Sequence, residues 1–239
     1  MILPDLFCVA LIAVTLSLDH LLLWRWFLQR SRVDSGRARF WLYSAWTVEE
    51  WTLAASVVAL WLYKGRAWRA LRLTAPDGWR LWASMSLVLA LAITLAAATL
   101  KVARIKRKKR VKVQGHVEGL APHTRSELGL WAVLSVSAGF SEELIFRGYL
   151  IWAFQPALGL WGAAALSVAG FAVAHGYQGK KGVLATGIVG CLLTLLVVVF
   201  GSLWPAVVIH ALVDLQQGLV AWLVLGKVHE GEALTNPPA

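Results

Sequence analysis

Three residue pairs, each four positions apart and each containing an ionisable side chain, interrupt apolar stretches in the second half of this 239-residue chain. The pairs are Glu143 with Arg147, Phe171 with His175, and His210 with Asp214. Residues four apart share one face of an α-helix. An ionisable group at the centre of a membrane helix costs roughly 2.5–3.5 kcal/mol on insertion scales, so such groups persist where they are paired or used.

These residue types form a set that is typical of hydrolysis. On a helix, Glu142 is turned about 100° from Glu143 and is free to face a cavity. A carboxylate in apolar surroundings is a stronger base than one in water, which suits a general base near neutral pH. His175 would hold or co-activate the water, and His210 and Asp214 would stabilise an oxyanion or bind a metal ion. The alternative is that each group makes only a structural contact between helices.

The elements that must carry these residues are membrane-spanning helices. The chain is 59% hydrophobic and only 15% charged, well outside the range of soluble domains. Turn residues at Gln155–Pro156, Leu158–Gly159 and Gly201–Ser202 with Pro205 divide the longest apolar runs. We therefore predict an all-α, polytopic transmembrane helix bundle of about seven spans, at residues 5–28, 41–63, 81–100, 128–155, 160–177, 183–200 and 204–225.

The net charge of +10 has the distribution expected of membrane loops. Seventeen Lys and Arg residues fall in 25–39, 101–125, 180–181 and 227, against five in 64–80. The positive-inside rule makes the first group cytoplasmic, which places the N-terminus outside and the C-terminal tail inside. The cluster of residues 101–110 directly follows a span and is predicted to contact anionic membrane lipids, not nucleic acid.

In order and spacing, the motifs Glu142-Glu143-x-x-x-Arg147, Phe171-x-x-x-His175 and His210-x-x-x-Asp214 resemble those of the CPBP family, also called the Abi family. This family contains the type II CAAX prenyl endopeptidases and bacterial proteins tied to bacteriocin self-immunity. The resemblance implies a conical or groove-like catalytic cavity opening in the membrane, and we expect a multi-pass protein of the bacterial inner membrane. It divides the chain into an N-terminal region of about three spans (1–127, with a basic loop at 101–126), a catalytic region of about four spans (128–225) and a polar tail (226–239).

The resemblance implies an intramembrane endopeptidase acting near the C-terminus or membrane anchor of a lipidated or membrane-anchored protein. Glu142 would activate water with His175, and His210 and Asp214 would stabilise the tetrahedral intermediate. The supporting residues would be Glu143, Arg147 and Phe171.

The family has been described both as metalloproteases and as metal-independent glutamate proteases. If a divalent metal such as Zn²⁺ is used, its ligands would be Glu142, His175, His210 and Asp214. The CAAX-processing branch typically has Asn where this chain has Asp214; a carboxylate suits a metal but donates to an oxyanion only when protonated. Because the chain has no His-Glu-x-x-His motif, we favour a mechanism without a cofactor.

Two further polar sites lie in the N-terminal half. Glu49 and Glu50 repeat the Glu-Glu motif, but position 54 is Ala, so no Arg follows at the required spacing. We assign structural or substrate-gating roles to this pair, and to Asp19 and His20. Two other functions stay open: a non-catalytic membrane immunity or partner-binding protein that keeps the motifs for packing, and a proton-coupled transporter. The transporter is disfavoured because the sequence shows no internal repeat.

Overall fold

A computed structural model describes residues 3–104 and 119–235, and every regular element in this part of the chain is helical. The predicted all-α bundle is therefore confirmed. Most of the basic cluster 101–110, with its predicted lipid contacts, lies outside the described residues. The elements are α1 (Leu3–Leu18), a π-helical turn (Asp19–Leu23), α2 (Trp24–Arg30), α3 (Ser35–Tyr63), a 3-10 helix (Trp68–Leu71), α4 (Gly78–Arg104), α5 (Arg125–Glu142), a π-helical segment (Glu143–Leu150), α6 (Ile151–Ala174), a second 3-10 helix (Gly176–Gln178), α7 (Gly179–Phe200) and α8 (Trp204–Thr235).

Five helical stretches among the described residues are long and apolar enough to cross a membrane. The helix α3 is not among them, and it carries Glu49 and Glu50. The last helix continues to Thr235, into the predicted polar tail of residues 226–239. The five stretches are Leu3–Arg30, Gly78–Arg104, Arg125–Ala174, Gly176–Phe200 and Trp204–Leu225.

The stretch Arg125–Ala174 accounts for two of the predicted spans. A straight helix of its 50 residues would be about 75 Å long, far longer than the hydrocarbon core is thick. It bends at Gly159, where the backbone is not helical (φ 67°, ψ 173°). Glycine adopts this positive φ without a Cβ clash. The predicted break at Gln155–Pro156 is wrong, because the helix passes through Pro156 and bends only at the glycine.

A buried ion pair joins the N-terminal helices to α5. Arg39 of α3 donates to both carboxylate oxygens of Glu127, each at 3.1 Å, and both residues are buried. Glu127 also accepts from the backbone N–H groups of His123 and Thr124. The Thr124 hydroxyl in turn accepts from the Glu127 backbone N–H, which completes a capping box and fixes the start of α5.

Helices α5 and α8 pack closely against each other at Gly139. A Cβ at this position would lie 2.9 Å from both the backbone nitrogen and the Cβ of Ala211. Ala211 directly follows His210, and Gly139 lies less than one helical turn before Glu142. The absence of a side chain at position 139 therefore sets the distance between the two helices that carry Glu142 and His210.

Gly139→Ala is expected to push α5 and α8 apart and to lower the thermal unfolding midpoint in detergent, because overpacking typically costs about 1–3 kcal/mol. Gly129→Ala is the matched control on the same helix, since a Cβ there meets no atom within 4 Å. An equal unfolding midpoint for the two variants would contradict the close packing of α5 and α8 at Gly139.

Candidate active site

The first motif lies where α5 passes into the π-helical segment, which begins at Glu143. Arg147 Nη1 donates to Glu143 Oε1 at 2.9 Å, and neither side chain has any exposed surface. The predicted ion pair is thus present. Ser167 of α6 donates to the carbonyl oxygen of Phe146 within the π-helical segment, at 2.6 Å. π-Helical insertions are rare and occur frequently at functional sites.

Arg147 connects three helices around its guanidinium group. Its Nη2 donates to the carbonyl oxygen of Gly190 at 3.3 Å, and its Nε to the hydroxyl of Thr194 at 3.4 Å, both on α7. The guanidinium lies over the ring of Phe171 of α6, 4.1 Å from its centroid. A Cβ at Gly190 would lie 3.1 Å from both Arg147 Nη2 and the Phe171 ring, so the glycine leaves the space that these groups need.

His210 lies among the carboxylates of two motifs. Its Nδ1 is 2.9 Å from Glu143 Oε1, the oxygen that also accepts from Arg147. Its Nε2 is 3.5 Å from Glu142 Oε2 and 3.5 Å from Asp214 Oδ2. Since Glu143 is held by Arg147 and can only accept, Nδ1 is the donor in the first contact. The third motif therefore pairs as predicted, and it also bonds to the first.

His175 follows the last residue of α6. Its ring packs against Phe171, with 4.7 Å between ring centroids, as the second motif predicted. Its Nδ1 is 2.9 Å from the carbonyl oxygen of Phe171. A carbonyl oxygen only accepts, so Nδ1 carries the hydrogen and Nε2 is the acceptor nitrogen of the neutral ring.

The three motifs share one cavity of about 290 Å³. Glu142, His175, His210 and Asp214 all line it, together with Phe171. The lining extends to Tyr177 and Gln178, which lie at the end of the bundle where the predicted cytoplasmic loops join the helices. The prediction that the motifs converge is therefore correct, and the arrangement places two carboxylates and two imidazoles around one space.

Three acidic residues of the N-terminal half line the same cavity: Asp19, Glu49 and Glu50. Asp19 lies in the π-helical turn after α1 and accepts from Trp46 Nε1 at 2.7 Å. The sequence predicts structural or gating roles for these residues and does not place them in one cavity with Glu142. Their only sequence signal is that they are acidic residues within the predicted spans 5–28 and 41–63.

The donor set does not fit a metal ion in this arrangement. Within residues 3–104 and 119–235, no group of three or more His, Cys, Asp or Glu side chains is placed to hold one. The Nδ1 atoms of His175 and His210 are both engaged within the protein. The expectation of a mechanism without a cofactor stays a prediction.

The fold and this site define a multi-pass integral membrane protein with a buried carboxylate–histidine centre. Residues 124–216 match the family model described as type II CAAX prenyl endopeptidase Rce1-like. This match supports membership of the CPBP family, as the motifs predicted, and the family supports a CAAX-type intramembrane protease as the general class. The matched residues contain all three motifs, whereas α1 to α4 lie outside them. No curated protein and no solved structure matches the chain significantly.

Proposed function

We propose that the protein is an intramembrane endopeptidase that uses Glu142 and His175 to activate a water molecule, with His210 and Asp214 acting on the tetrahedral intermediate. The observation that carries this proposal is the convergence of these four side chains on one cavity inside a bundle of apolar helices. The substrate would be a lipidated or membrane-anchored protein, cleaved near its C-terminus or its anchor.

Water activation follows from the hydrogen-bonding state of the two residues. His175 donates from Nδ1 to the Phe171 carbonyl, which leaves Nε2 free to accept from a water molecule. Glu142 is the one carboxylate of the Glu-Glu pair that lines the cavity, because Glu143 is taken up by Arg147 and His210. Glu142 would take the proton as water attacks the scissile carbonyl carbon, and would then return it to the leaving amine.

Stabilisation of the intermediate would fall to His210. Because Nδ1 donates to Glu143, Nε2 can donate to an oxyanion only when the ring is an imidazolium. Glu142 and Asp214, each 3.5 Å from Nε2, are the negative neighbours that such a cation needs. Asp214 would assist directly only in its protonated form; otherwise it orients His210 across one helical turn.

The substrate can be found by comparing membranes from cells that produce either the wild-type protein or Glu142→Gln at equal levels. Quantitative proteomics of protein C-termini should reveal membrane-anchored precursors that accumulate only with the variant. Identical sets of C-termini, with biological activity retained, would favour the non-catalytic immunity or partner-binding alternative.

Metal dependence is tested by Asp214→Asn and by a chelator. In the metal-free reaction, Asn can donate to the oxyanion, so Asp214→Asn is expected to keep activity within about tenfold, and a chelator should leave the wild-type rate unchanged. Loss of activity with the chelator and its recovery on adding Zn²⁺ would instead establish a catalytic metal, which Asp214→Asn should bind more weakly.

A further inference from the structure

We infer that residues 64–80, which join α3 to α4 and include the first turn of α4, bind the phosphate of an anionic phospholipid headgroup through Arg72 and Arg80. This segment lies outside both the cavity and the family-matched residues. It contains five Lys and Arg residues but a single acidic residue, Asp77. The inference goes beyond the proposed function and does not depend on peptidase activity.

Arg72 has a buried, charged donor group without an acceptor. Its Nη1 atom is buried, and no hydrogen-bond acceptor in the described part of the chain contacts it. An unsatisfied charged donor is costly, so such groups normally meet a carboxylate or a phosphate. The backbone of Arg72 is left-handed (φ 57°), which is uncommon for a residue with a Cβ, and its carbonyl oxygen accepts from the Leu203 N–H at 2.8 Å. Arg72 is therefore held beside the start of α8.

Arg80 approaches the same connection between α7 and α8. A Cβ at Gly201 would lie 3.7 Å from Arg80 Nη1, and Gly201 is two residues before Leu203. Arg80 is exposed. Within residues 3–104 and 119–235, neither Arg72 nor Arg80 forms an ion pair with a carboxylate. Two arginines that lack a negative partner thus lie beside one short loop.

The surroundings of this loop place it at the level of lipid headgroups. Helices α4 and α8 both begin here, and both belong to stretches that are able to cross a membrane. Tryptophan is enriched where a membrane meets water. Four exposed tryptophans come from these elements and from the 3-10 helix before α4: Trp68, Trp79, Trp82 and Trp204. The Trp204 indole also donates to the carbonyl oxygen of Leu73 at 2.8 Å, which joins the segment to α8.

A lipid phosphate matches the donors that the segment offers. A guanidinium group presents parallel N–H groups that bind two phosphate oxygens at once. The N-terminus of α4 at Gly78 adds the partial positive charge of the helix dipole. The positive-inside rule makes this end of the bundle non-cytoplasmic, although it carries five basic residues. A bound anionic lipid would balance part of that charge and would hold residues 64–80 against the start of α8.

The test is native mass spectrometry of the purified full-length protein in detergent, titrated with phosphatidylglycerol or phosphatidylcholine. For the wild-type protein we expect the first phosphatidylglycerol to bind at least about fivefold more tightly than phosphatidylcholine. Arg72→Gln should weaken phosphatidylglycerol binding at least about tenfold, and Arg80→Gln about fivefold. Arg37→Gln is the matched control, because Arg37 is an exposed arginine at the opposite end of α3. It lies several Debye lengths away and should change the affinity by at most about twofold.

Equal affinities of wild type, Arg72→Gln and Arg80→Gln for phosphatidylglycerol would overturn the inference, and so would an equal loss in Arg37→Gln. Because Arg80 is exposed, Arg80→Gln keeps the test decisive if Arg72→Gln does not fold. Thermal unfolding in phosphatidylcholine liposomes separates two sources of phosphate. Added phosphatidylglycerol should raise the wild-type midpoint, and millimolar inorganic phosphate should not. If inorganic phosphate raises the midpoint as much, the site binds a soluble anion and the assignment to a lipid is wrong.

Discussion

Glu142→Gln is expected to lower the rate of peptide cleavage by about 10³-fold while the protein accumulates normally in the membrane. General base catalysis contributes typically 10²–10⁴-fold, and an amide cannot take a proton from water. The substitution keeps the size of the side chain, and the Glu143–Arg147 and Glu143–His210 bonds do not involve it. The measurement is kcat with wild-type and variant protein at matched amounts, together with the thermal unfolding midpoint of each.

His175→Ala should lower the rate of peptide cleavage by a comparable factor, because it removes the nitrogen that accepts a hydrogen bond from the water molecule but leaves Glu142 in place. The two substitutions together should cost little more than either alone, since groups that act on the same water are not additive. A Glu142→Gln protein with activity within tenfold of wild type would remove this residue from the role of base, and fully additive losses would show that the two residues act on different steps.

Arg147→Met is expected to destabilise the folded protein more than any other single substitution considered above. Both members of the Glu143–Arg147 pair are fully buried. Breaking a buried ion pair by removing one partner typically costs about 3–5 kcal/mol, which for a chain of this size corresponds to a fall of roughly 10 °C in the unfolding midpoint. The lost bonds to Gly190 and Thr194 add to this, because they join the π-helical segment to α7.

The double variant Glu143→Gln/Arg147→Met separates two causes of the lost stability: the unpaired buried charge of Glu143 and the lost packing of Arg147. Removing the carboxylate charge as well should restore at least half of the lost stability. Activity should stay low, because His210 loses the carboxylate that accepts from its Nδ1. The checks are the amount of protein in the membrane and the unfolding midpoint in detergent. If the unfolding midpoint of Arg147→Met lies within 2 °C (~0.5–1 kcal/mol) of the wild-type value, the stabilising role of the buried Glu143–Arg147 pair is contradicted.

The sequence predicted those parts of the fold and site that depend on local spacing. The i,i+4 contacts of Glu143 with Arg147, of Phe171 with His175 and of His210 with Asp214 all follow from helical periodicity. The break between α7 and α8 follows from Gly201 and Pro205, which end one helix and begin the next. The places of membrane-spanning helices along the sequence are also predictable, because the thickness of the bilayer sets the length of the apolar stretch that crosses it.

Contacts between distant helices could not be predicted in the same way. Nothing in the local pattern indicates that His210 would bond to Glu143 as well as lie near Glu142, or that residues 143–150 would be π-helical. The position of Glu50 in the same cavity as Glu142 depends on how α3 packs on α5, through Trp51 and Ser137. The sequence predicts a break at Pro156 as well as at Gly159, although within this helix Gly159 alone adopts a non-helical backbone.

The family-matched region and the N-terminal helices each supply residues that line one cavity. The matched region supplies Glu142, His175, His210 and Asp214, while Asp19, Glu49 and Glu50 come from α3 and the turn after α1. The Arg39–Glu127 pair holds these two halves together near the start of α5. The division into a region of 1–127 and a catalytic region of 128–225 stays a prediction about chain organisation, and the proposed site draws on both.

The most direct test of the central claim is cleavage by the purified protein alone. Wild-type protein and Glu142→Gln would each be reconstituted into liposomes with a precursor that accumulates in Glu142→Gln membranes, and the products would be sequenced by mass spectrometry. We expect a single new peptide end from the wild-type protein and an intact precursor with the variant. Cleavage at the same bond and rate by both proteins, or an intact precursor with both, would contradict a peptidase that uses Glu142 as its base.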